Sequence, residues 1–245
     1  LDQARIITEA YAPTPSELTT WPVEKANKLA VIDIMKVFTY QVLVDTFGDI
    51  PYTQSLDIDK YPLPKYDKAS DIYASLIARL KVDLANLKPS GTVLRGGDIY
   101  FDGDNVKWEK FGNSLLLKLG IALADINPSL AQSTVNEAIA GGVMASSADN
   151  CEFKYLAASP NDSPIYQDIS SRDDFVAGKT LVDFMNATND SRITKYYGDV
   201  DGDYIGQVIG APAEFSEFSP LGDFAYEPTT PGTIMNYTEV LFYLT

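Results

Sequence analysis

Three stretches of this chain repeat apolar residues at the three-and-four spacing of an α-helix, and that periodicity limits the fold more than any other feature. The first runs through Val31, Ile34, Met35, Phe38, Val42 and Thr46. The second runs through Tyr73, Leu76, Ile77, Leu80, Leu84 and Leu87, and the third through Trp108, Phe111, Leu115, Leu119, Ala122 and Leu123. Punctuation agrees with the period. Pro22 suits a first helical turn, Gly48 and Pro51 stop the first helix, and Asp67 or Ser70 is the expected N-cap of the second, which Pro89 and Gly91 close. Asp104 caps the third, and a shorter fourth helix opens at Asn127-Pro128, carries Leu130, Val135, Ala138 and Ile139, and ends at Gly141-Gly142.

The pattern then changes. Residues 143–236 are rich in Ser, Asp, Gly and Pro, with one helical segment around Leu181, Val182, Phe184 and Met185. That much loop is expected to be working surface. The reading is an all-α, mainly helical fold over residues 1–245 as one domain: a helical scaffold over 1–142 and a loop-rich part over 143–236. Both ends read as cut, because the chain stops inside the apolar segment Tyr237 to Thr245, so a fragment is expected.

Composition excludes several functions. There is no histidine, so within this segment Ser–His and Cys–His catalysis and His-ligated zinc are ruled out. The single Cys151 forms neither an intrachain disulfide nor a cysteine cluster and is expected to be a small buried apolar residue. A formal charge of −15, from 34 acidic and 19 basic residues, repels nucleic acid and anionic headgroups. No apolar run is long enough to cross a bilayer.

Phe47-Gly-Asp-Ile-Pro-Tyr52 reads first as a structural corner, with Tyr52 as a possible ligand contact. Asp199, Asp201 and Asp203 are candidate calcium ligands. Tyr204 and Gly210 stand where an EF-hand needs Gly and Glu, so a solvated acidic turn is the plainer reading. Asp98 to Asp104 is weighed the same way, with Asp104 better explained as a helix cap. No catalytic constellation stands out, and none is expected.

Several strings in order resemble the SusD/RagB family. They are Phe38 to Leu56 with its Asp45-Thr-Phe-Gly-Asp-Ile-Pro-Tyr52 corner, Pro64 to Tyr73, Trp108-Glu-Lys-Phe-Gly-Asn-Ser-Leu115, Asn189-Asp-Ser-Arg-Ile193, and Met235-Asn-Tyr-Thr-Glu-Val-Leu-Phe242. Lys118 and Ser191 depart from the family pattern, where Arg and Pro are usual. The nearest branch is the SusD-like group described as starch-binding and outer-membrane-associated. The resemblance implies tetratricopeptide-like helix pairs, no catalysis, a lipid anchor at the cell surface of the outer membrane, and a SusC-like TonB-dependent transporter as partner; no cofactor is expected, with calcium as the one alternative. It also implies a captured nutrient, a glycan or, in some relatives, a peptide. A helical glycoside hydrolase and a scaffold that binds only protein are the competing readings. Glycan sites use aromatic faces, so the loop aromatics Trp21, Tyr61, Tyr66, Tyr100, Tyr155, Tyr166 and Tyr204 are the candidate ligand contacts, with Trp108 assigned to the core.

Overall fold

The computed structural model describes residues 1–91, 96–172, 174–212 and 214–245. Its helices are α1 (Asp2–Ala10), α2 (Trp21–Phe47), α3 (Ala69–Asn86), α4 (Asn105–Ala122), α5 (Pro128–Gly141), α6 (Pro164–Ile169), α7 (Lys179–Ala187), α8 (Ile193–Tyr196) and α9 (Tyr237–Leu244). Two short strands, β1 (Cys151–Phe153) and β2 (Gly232–Met235), pair with each other. The chain is mainly α, as its periodicity implies. It divides into two compact units: residues 1–151 with 233–245, and residues 152–232.

In the first unit α2 packs on α3, α3 on α4, and α4 on α5 and α9. The buried stripes explain why. Tyr73, Leu76, Ile77 and Leu80 of α3 meet Trp108, Phe111, Leu115 and Leu119 of α4 in one apolar cluster with Ile34 and Val37 of α2. Burying such side chains contributes roughly 1.5–3 kcal/mol each, which makes this cluster the main source of stability. Gly112 lets α4 approach closely: a Cβ there would lie 2.8 Å from Leu84 Cδ2 and 3.5 Å from Ile34 Cδ1. Cys151 is fully buried, and Trp108 is in the core.

Some local readings need correction. The buried stripe of α2 drifts in its second half, where Val37, Tyr40, Gln41 and Val44 face inward while Val42 and Thr46 are exposed. A long straight helix slips against a strict repeat, so its contact face rotates along its length. Neither Asp67 nor Ser70 caps α3. Ala69 N–H is instead accepted by Asp49 Oδ1 at 2.9 Å, from 20 residues earlier. Helix α1 lies outside the helices expected from the sequence, and Ile139 of α5 and Ala122 of α4 are exposed. Asp104 does cap α4, accepting from Val106 N–H at 2.9 Å, and Asn127 caps α5.

The second unit has a smaller core of Ala177, Val182, Met185 and Ile193, with Tyr197 and Tyr204 against it. Besides α7 it contains the short helices α6 and α8, and isolated bridges such as Gly178 with Gln207 and Tyr197 with Leu221 hold its loops.

Candidate functional site

The corner read from the sequence is built by carboxylates. Gly48 ends α2 at φ 74° and ψ −122°, backbone territory that only glycine enters without strain, and its N–H bonds Val44 C=O at 2.8 Å. Asp67 then closes the loop on itself. Its Oδ2 accepts from Thr53 N–H at 2.7 Å, Tyr52 N–H at 3.2 Å and Thr53 Oγ1 at 2.8 Å, and Lys65 Nζ lies 3.2 Å from Oδ1. The Thr53 amide is the main reason its pKa falls to about 2, helped by the Thr53 hydroxyl, Lys65 and the Tyr52 amide against the opposing effect of desolvation. Gln54 Oε1 accepts from Lys65 N–H at 3.0 Å, and the Tyr40 and Ser55 hydroxyls meet at 2.6 Å. The loop from Asp49 to Lys68 is therefore held in place despite having no regular structure.

Tyr52 itself is anchored. Its hydroxyl lies 2.9 Å from Ser75 Oγ and accepts from Arg79 Nη1 at 2.7 Å, while its ring meets Tyr40 edge-on. The structural-corner reading of Phe47 to Tyr52 thus holds at Tyr52.

On this frame lie two grooves that meet at Leu56. One, of about 490 Å³, is bounded by Lys36, Thr39, Tyr40 and Leu43 of α2, Ser55 and Leu56 of the loop, and residues 1–3. The other, of about 310 Å³, is bounded by Gln54, Asp57, Ile58, Tyr61, Pro62 and Pro64. Leu56 adopts φ 64° and is 72% exposed, so a strained backbone presents an apolar side chain to solvent at the junction. Lys60 Nζ sits 5.0 Å from the Tyr61 ring centroid. Chemically, the pair of grooves offers the rings of Tyr40 and Tyr61, apolar edges, hydroxyls, the amides of Gln3 and Gln54, the carboxylates of Asp2 and Asp57, and the Lys36 ammonium. Binding of a hydroxyl-rich ligand needs this mixture.

The loop aromatics do not form a single cluster. Tyr61 lines the second groove, and Tyr66 stands 72% exposed on the same loop. Trp21 opens α2 with its ring 4.5 Å from that of Tyr11 and Lys28 Nζ 4.8 Å from its centroid, so much of it is already covered. Tyr100 packs edge-on against Trp108 at 6.1 Å. Tyr155, Tyr166 and Tyr204 belong to the second unit: Tyr155 packs on Phe153 at 4.8 Å, Tyr166 is half-buried in α6, and Tyr204 leans on the Val182–Met185 cluster. Gln54, Ser55, Leu56 and Asp57 were not singled out from the sequence, although the proline spacing at Pro51, Pro62 and Pro64 marks the loop that carries them.

The acidic turn at Asp199 to Asp203 is a tight bridge between Val200 and Asp203, with the Asp199 carboxylate accepting from Gly202 N–H at 2.9 Å. Among the described residues no three Asp, Glu or Cys side chains gather as a metal site. Asp98, in the other acidic stretch, is buried and accepts from the Tyr100, Phe101 and Gly103 amides.

Fold and grooves together define a helical-scaffold protein with two adjoining surface grooves. The SusD-like family described as starch-binding and associating with the outer membrane matches residues 7–245, and the chain belongs to that family. Solved structures agree on the fold. A chitin-binding protein superposes with a TM-score of 0.79 at 24% identity, covering 98% of this chain and 60% of that one. A chitin-binding SusD homologue from Flavobacterium johnsoniae gives 0.77 at 23% identity, covering 94% and 48%. A SusD homologue from Bacteroides uniformis gives 0.76 at 24% identity, covering 88% and 46%. The chain therefore spans roughly half the length of these structures. No curated protein matches it. Among the described residues no helix is long and apolar enough to cross a membrane.

Proposed function

We propose that this chain is part of a non-catalytic, lipid-anchored protein of the outer-membrane surface that captures a neutral oligo- or polysaccharide for a SusC-like TonB-dependent transporter. The observation that carries this reading is the junction at Leu56, where Tyr61 offers a ring face beside Gln54 and Asp57 on a loop fixed by Asp67. Sugars present apolar ring faces and hydroxyl edges, which an aromatic ring and polar side chains satisfy together. The family description and the chitin-binding names of two structural neighbours support a glycan. The charge of −15 disfavours a polyanionic one.

A peptide is the second reading. The exposed Leu56, Ile58 and Leu63 would suit apolar side chains of an extended segment.

Affinity electrophoresis through gels containing soluble starch, glycol chitin or another neutral polysaccharide tests the glycan. Retardation by at least one is expected, and migration unchanged by all of them overturns the assignment. Sustained release of new reducing ends would overturn the non-catalytic part. The transporter partnership predicts that the intact protein, tagged and extracted from native membranes in detergent, co-purifies with a large β-barrel. An interface of that kind buries more than about 2,000 Å².

A further inference from the structure

Leu56 fills a position where the fold itself has no use for a leucine. Its φ of 64° lies in the left-handed region, which glycine enters freely and a residue with a side chain enters at a cost. Its neighbours hold it there. Ser55 donates its hydroxyl to the Tyr52 carbonyl at 2.7 Å on one side. On the other, the Asp57 carboxylate accepts from Lys60 N–H at 3.1 Å and the Asp57 carbonyl from Tyr61 N–H at 2.8 Å. The side chain gains little burial in return, since 72% of the residue stays exposed. Neither backbone preference nor burial accounts for leucine here, yet it lines both grooves.

The second groove also holds a spare donor. Gln54 lines it, and its Oε1 accepts from Lys65 N–H at 3.0 Å, which fixes the carbonyl end of the side-chain amide. The NH2 end has no partner among the described residues and is left to donate to an acceptor from outside the chain. Tyr61 stands in the same groove. A ligand that uses all three brings an acceptor for Gln54, a small apolar group for Leu56 and a ring face for Tyr61.

We propose that this junction selects sugars that carry an acetamido group, an inference that rests on the glycan reading above and narrows it. The acetamido carbonyl accepts from Gln54 Nε2, its methyl packs on Leu56, and the sugar ring lies against Tyr61. A plain hydroxyl in the same place gives Gln54 an acceptor but leaves Leu56 nothing apolar to cover. A peptide brings carbonyls and methyls but no saturated, hydroxyl-edged ring, so it matches fewer of these groups.

Calorimetric titration with trisaccharides that share one linkage and differ only in the group beside the anomeric carbon tests the selection. They are triacetylchitotriose, cellotriose with hydroxyls and chitotriose with free amines. The acetylated trimer is expected to bind about tenfold more tightly than cellotriose. Leu56→Gly and Leu56→Asn both suit a left-handed backbone and remove the apolar side chain. Each is expected to lower the ratio of acetylated-trimer to cellotriose affinity by about threefold or more. Leu56→Gly is also expected to melt no lower than the wild-type protein, and a lower melting temperature shows that the leucine serves the fold and overturns the proposal. Cellotriose or chitotriose bound as tightly as the acetylated trimer overturns it, as does a ratio unchanged in both variants. A capped trialanine peptide bound as tightly as the acetylated trimer overturns it in favour of a peptide. If no trimer binds while a polysaccharide gel still retards the protein, this inference alone fails. If neither happens, the glycan reading fails with it.

Discussion

The indole Nε1 of Trp108 donates to Asp98 Oδ2 at 2.7 Å, tying the first turns of α4 to the turn that precedes it. Asp98 also accepts from the Tyr100, Phe101 and Gly103 amides, so one buried carboxylate satisfies four donors. Asp98→Ala orphans all of them, and at about 1–3 kcal/mol for a buried unsatisfied group the expected loss is at least ~3 kcal/mol. Trp108→Phe removes one donor and leaves the amides satisfied, so urea titration should find it clearly the milder variant.

Acid should open the Asp49–Lys68 loop before the helical core. Asp67 falls from an ordinary value of 3.8 to about 2 in the fold, chiefly through the Thr53 amide. A lowered folded-state pKa contributes stability above the unfolded value and loses it as pH drops through the folded one. The contribution is therefore present above about pH 4 and disappears as pH falls from there towards 2. Asp67→Asn should remove it at every pH. Hydrogen exchange at the Tyr52 and Thr53 amides, faster in the variant at pH 7, is the measurement, and unchanged protection would contradict the role assigned to Asp67.

Removing the Tyr61 ring should weaken glycan binding without unfolding the loop. A ring face against a sugar contributes about 1 kcal/mol, so Tyr61→Ala is expected to bind roughly fivefold more weakly. Gln54→Ala tests the polar side of the same groove. If both variants are retarded by the polysaccharide gel as the wild-type protein is, the ligand binds elsewhere.

Gly222 is a point where the second unit alone can be injured. A Cβ there would lie 2.4 Å from the Lys195 carbonyl oxygen, a backbone atom that cannot step aside. Gly222→Ala should cost about 1–3 kcal/mol as overpacking. Hydrogen exchange read by mass spectrometry should rise in peptides covering residues 177–222 and stay level in those covering α4. Equal loosening of both would show that the units melt together.

Much of the scaffold could be read from the sequence because a buried helix face leaves a periodic trace. Tyr73 to Leu80 and Trp108 to Leu119 are buried as their spacing implies. The trace failed where helix and repeat drift apart, as at Val42, and where partners are remote in sequence, as with Asp49 and Ala69. The groove was harder still. Leu56 and Gln54 have no periodic signature, and they come together with Tyr61 only because Asp67 reaches back to Tyr52 and Thr53. Choosing aromatics by type named Tyr61, which lines a groove, on the same footing as Tyr100, whose ring meets the core tryptophan.

The pairing of β1 with β2 makes the two ends of the second unit neighbours, because paired strands run about 4.7–4.9 Å apart. A segment that leaves and re-enters its host at adjacent points is topologically an insert. Helix α9, which follows the insert in the chain, packs on α4 of the host. During synthesis the insert can therefore fold while its host still waits for α9. Residues 152–232 thus form a cassette that could be exchanged while the helical frame keeps its connections.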